Sequence, residues 1–204
     1  MKIGIVGAGK VGSTLGRRWA ECGHDIIYGV RNPEDAKHRP LHEHAQVLTS
    51  EKAANEADLV VLAVHWAAAR PAIDAIKNEM AGKILVDCTN PVGADLGPAT
   101  SGAELIQTWV PGSTVVKSFN QIGFNIMANP VLDGRKTVLF IASDSADAGA
   151  TVKGLATQLG FDVVFMQSLA NAQHLEALAM IWISMSYKFG YGREFAFSMI
   201  QRNA

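Results

Sequence analysis

The chain has 204 residues, 49% of them hydrophobic and 18% charged, against roughly 25% charged in an average globular protein, which excludes a disordered or low-complexity polyelectrolyte. Eighteen Lys and Arg against 19 Asp and Glu leave a net charge of -1, so there is no cationic surplus to hold nucleic acid or an anionic membrane surface. The length suits one domain with a short appended element and is too small for a dinucleotide domain plus a large separate substrate domain.

In chain order, Lys2–Val6 reads as a strand and Val11–Cys22 as a helix closed by Gly23. Asp25–Val30 is a second strand. Asn32–His44, polar and holding Pro33 and Pro40, reads as a loop with at most a short helix. Gln46–Leu48 is a short strand, and Ser50 is positioned to cap a helix through Ala57. Leu59–Val64 is a continuous apolar run, as expected of a strand covered on both faces. Ala67–Met80 has helical spacing, Lys83–Asp87 is another buried strand, and Thr89–Pro98 is a loop. Gly102–Trp109 is helical, Thr114–Phe119 extended, Ile122–Ala128 helical, Thr137–Ala142 a strand, Ala146–Leu159 a helix and Asp162–Met166 a strand. The alternation then gives way to an apolar helix, Ala172–Gly190, and a short one, Arg193–Gln201. Strands alternating with helices imply an α/β fold of the Rossmann type, doubly wound, with a mostly parallel sheet and a small C-terminal helical extension.

Met1 leads straight into the first strand with no apolar leader segment. The longest uncharged apolar stretches, Leu59–Ala69 and Ala177–Tyr187, fall well short of the roughly 18 residues of a membrane span. Cys22 and Cys88 form no disulfide framework, redox pair or zinc pattern. His38, His42 and His44 match no standard metal spacing. A cytoplasmic protein without a metal is expected.

Gly7-Ala8-Gly9-Lys10-Val11-Gly12 matches G-x-G-x-x-G directly after a predicted strand and opens a predicted helix. In that context Gly7 permits the tight turn, Gly9 admits a pyrophosphate and Gly12 lets helix and strand pack closely. The helix N-terminus offers free N–H groups to the phosphates. An NAD site places a carboxylate at the tip of the second strand, where it accepts from the ribose 2′-OH. Here the tip reads Val30-Arg31-Asn32. A guanidinium forks onto a 2′-phosphate that a carboxylate would repel, so NADP(H) is expected, held by Arg31 with help from Asn32. Lys37 and Arg39 read as solvated.

Ligands bind beyond the carboxyl ends of parallel strands. Three loops qualify there: His65-Trp66, Thr89 to Gly93 and Ser118-Phe119-Asn120. Trp66 and Phe119 can wall a flat ring, and Asn90 and Pro91 can shape the floor. His65, Trp66, Pro91 and Asn120 are the cleft candidates. Asp87 is expected to bind backbone N–H groups and Lys117 to snorkel at a strand end. His174 and Glu176 open the last helix and either line the site or face water. Met180, Trp182, Met185 and Phe189 form a core or subunit-contact stripe.

The run Met1–Arg31, with its glycine turn and Gly23-His24-Asp25 … Gly29-Val30-Arg31, resembles the F420-dependent NADP oxidoreductases, the NADPH-dependent coenzyme F420 reductases. Val64-His65-Trp66, Val116-Lys117-Ser118-Phe119-Asn120 and the stretch Ser168–Glu176 are similar too. The likeness spans nearly the whole chain. It implies hydride transfer between NADPH and a deazaflavin. It implies a Rossmann domain over residues 1–169 and a helical part over 170–204 that helps form the deazaflavin cleft or meets a partner subunit, and a homodimer. It implies NADP contacts from Ala8, Gly9, Lys10, Val11, Arg31, His65, Trp66 and the Pro91 loop. Family members often carry Ser or Thr where this chain has Val30, which leaves the phosphate preference resting on Arg31. Related domains reduce flavins or ferric ion, so a flavin is a second acceptor class.

Hydride transfer between two flat rings needs close positioning in a dry slot more than acid–base chemistry, so no catalytic acid, base or nucleophile is assigned. The alternatives are a reductase of small carbonyls or imines and a non-catalytic NADP-binding sensor. Those reductases draw a catalytic residue from a large second domain, and only about 35 residues follow Leu169 here.

Overall fold

A computed structural model describes residues 1–202. Asn203 and Ala204, the end of the expected helical part over 170–204, lie outside the described residues. Eight strands form one sheet: β1 Lys2–Val6, β2 Asp25–Val30, β3 Gln46–Thr49, β4 Leu59–Leu62, β5 Ile84–Asp87, β6 Thr114–Lys117, β9 Val138–Ser143 and β10 Asp162–Gln167. Val131–Leu132 (β7) and Arg135–Lys136 (β8) make a separate hairpin. The helices are α1 Lys10–Glu21, α2 Ser50–Glu56, α3 Ala69–Asp74, α4 Gly102–Trp109, α5 Phe124–Ala128, α6 Ala146–Gln158 and α7 Ala172–Tyr187. The strand order is β3-β2-β1-β4-β5-β6-β9-β10. The first six are parallel, and the chain crosses from one half to the other between β1 and β4. β9 pairs antiparallel with β6 and parallel with β10, so the last two strands run against the rest.

Strand residues alternate between two cores. Ile3, Ile5 and Val61 join Leu15 and Trp19 of α1 and Val152 and Leu155 of α6 on one face. Val6, Val60 and Leu62 join Ile73, Ile106 and Leu175 on the other. Burial on both faces is why Leu59–Leu62 reads as an unbroken apolar run. Trp19 is fully buried and its Nε1–H donates to the Leu155 carbonyl, 3.2 Å away, so the indole leaves no polar atom unpaired.

Three local expectations are corrected and a fourth, the short helix allowed for in the polar loop, is made specific. Thr49, not Ser50, caps α2: its Oγ1 accepts from the Lys52 N–H, and Ser50 is the first helical residue. Ala67–Met80 is not one helix. It runs as a 3₁₀ turn, α3 with Pro71 in its first turn, and a second 3₁₀ turn at Lys77–Glu79. Ile73, Ile76 and Met80 are all fully buried, so the apolar spacing held while the hydrogen bonds tightened to i→i+3. In the polar loop, Ala36–Glu43 winds into an eight-residue 3₁₀ segment capped by Asp35. Arg193–Gln201 is not helical. Phe195 and Phe197 give their carbonyls to Trp182 Nε1–H and the Val138 N–H instead, and Trp182 stacks on Phe195 with centroids 5.3 Å apart.

Candidate functional site

The glycine turn closes at the crossover between the sheet halves. The Gly7 N–H donates to the Gly29 carbonyl, and Gly7 has φ +105°, in the left-handed region that glycine favours. A Cβ on Gly12 would overlap the Gly7 carbonyl oxygen, so only glycine lets α1 start this close to the turn. A Cβ on Gly9 would meet nothing within 4 Å; the backbone there faces open space. α1 has no side-chain N-cap and no acidic residue in its first turn, which leaves its first N–H groups and positive dipole end free for an anion. Gly12→Ala is expected to lower the melting temperature by several degrees and abolish nucleotide binding, checked by thermal melting and titration. An unchanged melt would contradict the close approach.

Arg31 follows β2 directly, is exposed, and has no ion-pair partner among the described residues. Asn32 is exposed, and its Oδ1 accepts from the Glu34 N–H at 3.3 Å. Lys37 is exposed, as expected of a solvated loop lysine, and pairs with Asp35 at 2.7 Å. His38 is buried, and His44 Nε2 lies 3.1 Å from the Tyr28 hydroxyl. No cluster of three or more His, Cys, Asp or Glu is arranged to hold a metal among the described residues.

On the other side of the crossover His65 is exposed at the head of a 3₁₀ turn. Trp66 is half-buried, with its ring 5.7 Å from that of Trp109. A Cβ on Gly102 would come within 2.8 Å of Trp66 and 3.1 Å of Pro91, so the three pack together. Asn90 and Asn120 bind each other: Asn90 Nδ2 donates to the Asn120 backbone carbonyl at 2.8 Å and Asn120 Nδ2 to Asn90 Oδ1 at 2.9 Å. Asn120 also donates to the Leu175 carbonyl of α7. Phe119, expected against a ring, is instead buried in the core between Trp19 and Phe161. Its left-handed backbone, φ 59°, turns the side chain out of the cleft line.

Lys117 is the largest correction. It does not snorkel: it is fully buried, and its Nζ lies 2.8 Å from Asp87 Oδ2, 2.6 Å from the Thr89 carbonyl and 2.9 Å from Glu176 Oε1. Three donors meet three oxygens. Burial alone would push the ammonium down. The carboxylates of Asp87 and Glu176 more than reverse this and hold Lys117 above the ordinary lysine range. Asp87 does bind a backbone N–H, that of Thr89 at 2.8 Å, through its other oxygen. Glu176 Oε2 accepts from the Gly102 N–H that opens α4, at 3.1 Å, and His174 is exposed. Burial and then the Asp87 charge push the Cys88 thiol well above the usual range, which removes it as a nucleophile.

The spacing of single residues does not reveal this cluster, but one signal did exist. Asp87 and Lys117 end neighbouring parallel strands in register, so aligning the two apolar runs by their last residues pairs them. A second grouping, Lys10 and Arg193 with their cations 5.1 and 4.6 Å from the Phe124 ring centroid, joins residues with no sequence relation. A cavity of about 170 Å³ lies beside the β5 loop, lined by Asn90, Pro91, Val92, Glu176, Ala177 and Met180. Larger depressions of about 420 and 330 Å³ lie between the β7–β8 hairpin and the C-terminal tail and share no residue with these loops.

The 3-2-1-4-5-6 order with a glycine turn at the crossover defines a Rossmann-type dinucleotide-binding protein. The chain belongs to the F420-dependent NADP oxidoreductase family. A family model described as NADP oxidoreductase, coenzyme F420-dependent, matches residues 2–91. A solved structure presented as a candidate F420-dependent NADP reductase from Arthrobacter sp. FB24 is 31% identical. It superposes with a TM-score of 0.88 over 98% of this chain and 100% of its own. The F420-dependent NADP reductase of Methanothermobacter marburgensis is 29% identical over 92% of this chain and 93% of its own. The metalloreductase STEAP3 of Rattus norvegicus is 34% identical over 88% of this chain. The chain spans only 36% of that protein's length. No helix among the described residues is long and apolar enough to cross a membrane.

Proposed function

We propose that the protein transfers hydride between NADPH and a deazaflavin of the F420 type. The observation that carries the reading is an uncapped, acid-free α1 N-terminus together with an Arg31 at the end of β2 that has no ion-pair partner among the described residues. Gly7, Ala8, Gly9, Lys10, Val11 and Gly12 hold the pyrophosphate, and Arg31 with Asn32 takes the 2′-phosphate. His65, Trp66, Asn90 and Pro91 form the nicotinamide side. Asn120 holds the Asn90 loop in place. When bound, the coenzyme would supply a hydride, both electrons going to the acceptor ring with a proton from water to balance that reduction and leaving the oxidised, cationic nicotinamide. The chain's own part is to orient both rings and keep water out.

In this reading residues 1–169 carry the coenzyme and the part from 170 on closes the cleft, in a cytoplasmic homodimer. The deazaflavin is favoured by the reductases that match this chain over nearly their full length. The 34% likeness to a metalloreductase supports a second reading, in which the electrons of NADPH end on a metal ion. Spectrophotometric NADPH oxidation with the deazaflavin, FMN, FAD and ferric chelates in parallel decides between them. The deazaflavin is expected to be reduced fastest. Failure to bind NADPH by calorimetry would remove the reading altogether.

A further inference from the structure

The buried cluster at the ends of β5 and β6 does not balance its charge. It holds one ammonium, Lys117, and two carboxylates, Asp87 and Glu176. Lys117 and Asp87 are fully enclosed. Glu176 alone reaches the cavity between the β5 loop and α7, where it is 9% exposed and lines the wall with Asn90, Pro91 and Met180. Asn90 and Pro91 are the residues assigned above to the nicotinamide half, which in a doubly wound sheet is the β4-β5-β6 side of the crossover. The surplus negative charge is therefore built into the wall of the slot that takes the redox ring, and water cannot surround it to screen it.

A fixed charge there distinguishes the two forms of the coenzyme. The reduced nicotinamide is neutral and the oxidised ring carries one positive charge. We propose that Glu176 is a positioning residue that brings the cluster's one surplus negative charge to the slot, where it favours the oxidised, cationic nicotinamide over the reduced one and so drives hydride out of NADPH. The inference rests on the coenzyme reading above. Glu176 acts through the field at the slot rather than by touching the reacting carbon. The charge is held in place from three directions: Lys117 on one oxygen, the Gly102 N–H on the other, and the α7 backbone, whose Leu175 carbonyl is tied to Asn120.

The test compares equilibrium affinities rather than turnover. Kd for NADP+ and for NADPH is measured by calorimetry in the wild type and in Glu176→Gln, with thermal melts of both. Removing the charge is expected to raise the ratio Kd(NADP+)/Kd(NADPH) roughly five- to tenfold, the range for one unit charge acting across several ångströms of protein. A loss confined to packing weakens both forms alike and leaves the ratio unchanged, which overturns the proposal. Met180, partly exposed at 39% on the same cavity, gives a second measurement that does not disturb the buried cluster. Met180→Lys is expected to raise the ratio and Met180→Glu to lower it; equal ratios in the two also overturn the proposal. A wild type that binds neither form refutes the coenzyme reading itself and this inference with it. Binding of both forms with an insensitive ratio refutes only the inference.

Discussion

Arg31→Ala is expected to weaken NADPH binding by about 10- to 100-fold while leaving NADH affinity within about twofold, the effect of losing one charge-assisted pair to a phosphate. The argument is local. Arg31 follows the carboxyl end of β2, is exposed, and is not neutralised by a carboxylate among the described residues. No Ser or Thr stands at position 30 to share the 2′-phosphate, because Val30 is buried in the core. Arg31→Lys keeps the charge and loses the fork, so an intermediate affinity is expected. Fluorescence titration with both coenzymes reads the result. A parallel fall for NADPH and NADH would mean that Arg31 supports the fold rather than selecting a phosphate.

Lys117→Met is expected to cost about 3–5 kcal/mol of stability, because it leaves Asp87 and Glu176 buried against each other with no counter-charge. For a chain of this size that is a fall in melting temperature of about 10 °C or more. The pH dependence has a definite sign. The folded-state lysine is held above its unfolded value, so its contribution is fully present below the ordinary lysine range, near about pH 10.4. It is lost as pH rises through the higher folded value. Wild-type protein should therefore lose stability in strong alkali along a slope that Lys117→Met lacks. Melts at neutral and alkaline pH in both proteins measure this, and a variant melting with the wild type would refute the ion cluster.

The parts of the molecule legible from sequence were those set by local chemistry. The glycine turn announces itself because Gly7 and Gly12 each answer a steric demand within six residues, while Gly9 leaves the backbone between them open. The central parallel strands were readable because burial on both faces forces apolar runs such as Leu59–Leu62. What escaped depends on partners distant in the chain. Lys117 beside Val115 and Val116 looks like a strand-end lysine until Glu176, 59 residues later, is brought to it. Phe119 looked like a cleft aromatic because nothing nearby shows that its backbone turns left-handed into Trp19 and Phe161. Arg193–Gln201 has helical composition, but its carbonyls find better partners on Trp182 and β9. The reversal of β9 and β10 is invisible in a pattern that alternates strand and helix as any parallel unit does.

That reversal also sets an order of assembly. Because β10 runs against the parallel strands, α7 departs from it and passes back along the strand ends, delivering Glu176 to Lys117 in its second turn. During synthesis the glycine turn, β1 and β2 leave the ribosome long before that helix exists. Until α7 docks, Lys117 has Asp87 as its one carboxylate partner and the Gly102 N–H lacks its acceptor. The half of the cleft that would face the redox ring thus matures only once α7, which opens at Ala172 in roughly the last sixth of the 204 residues, is made.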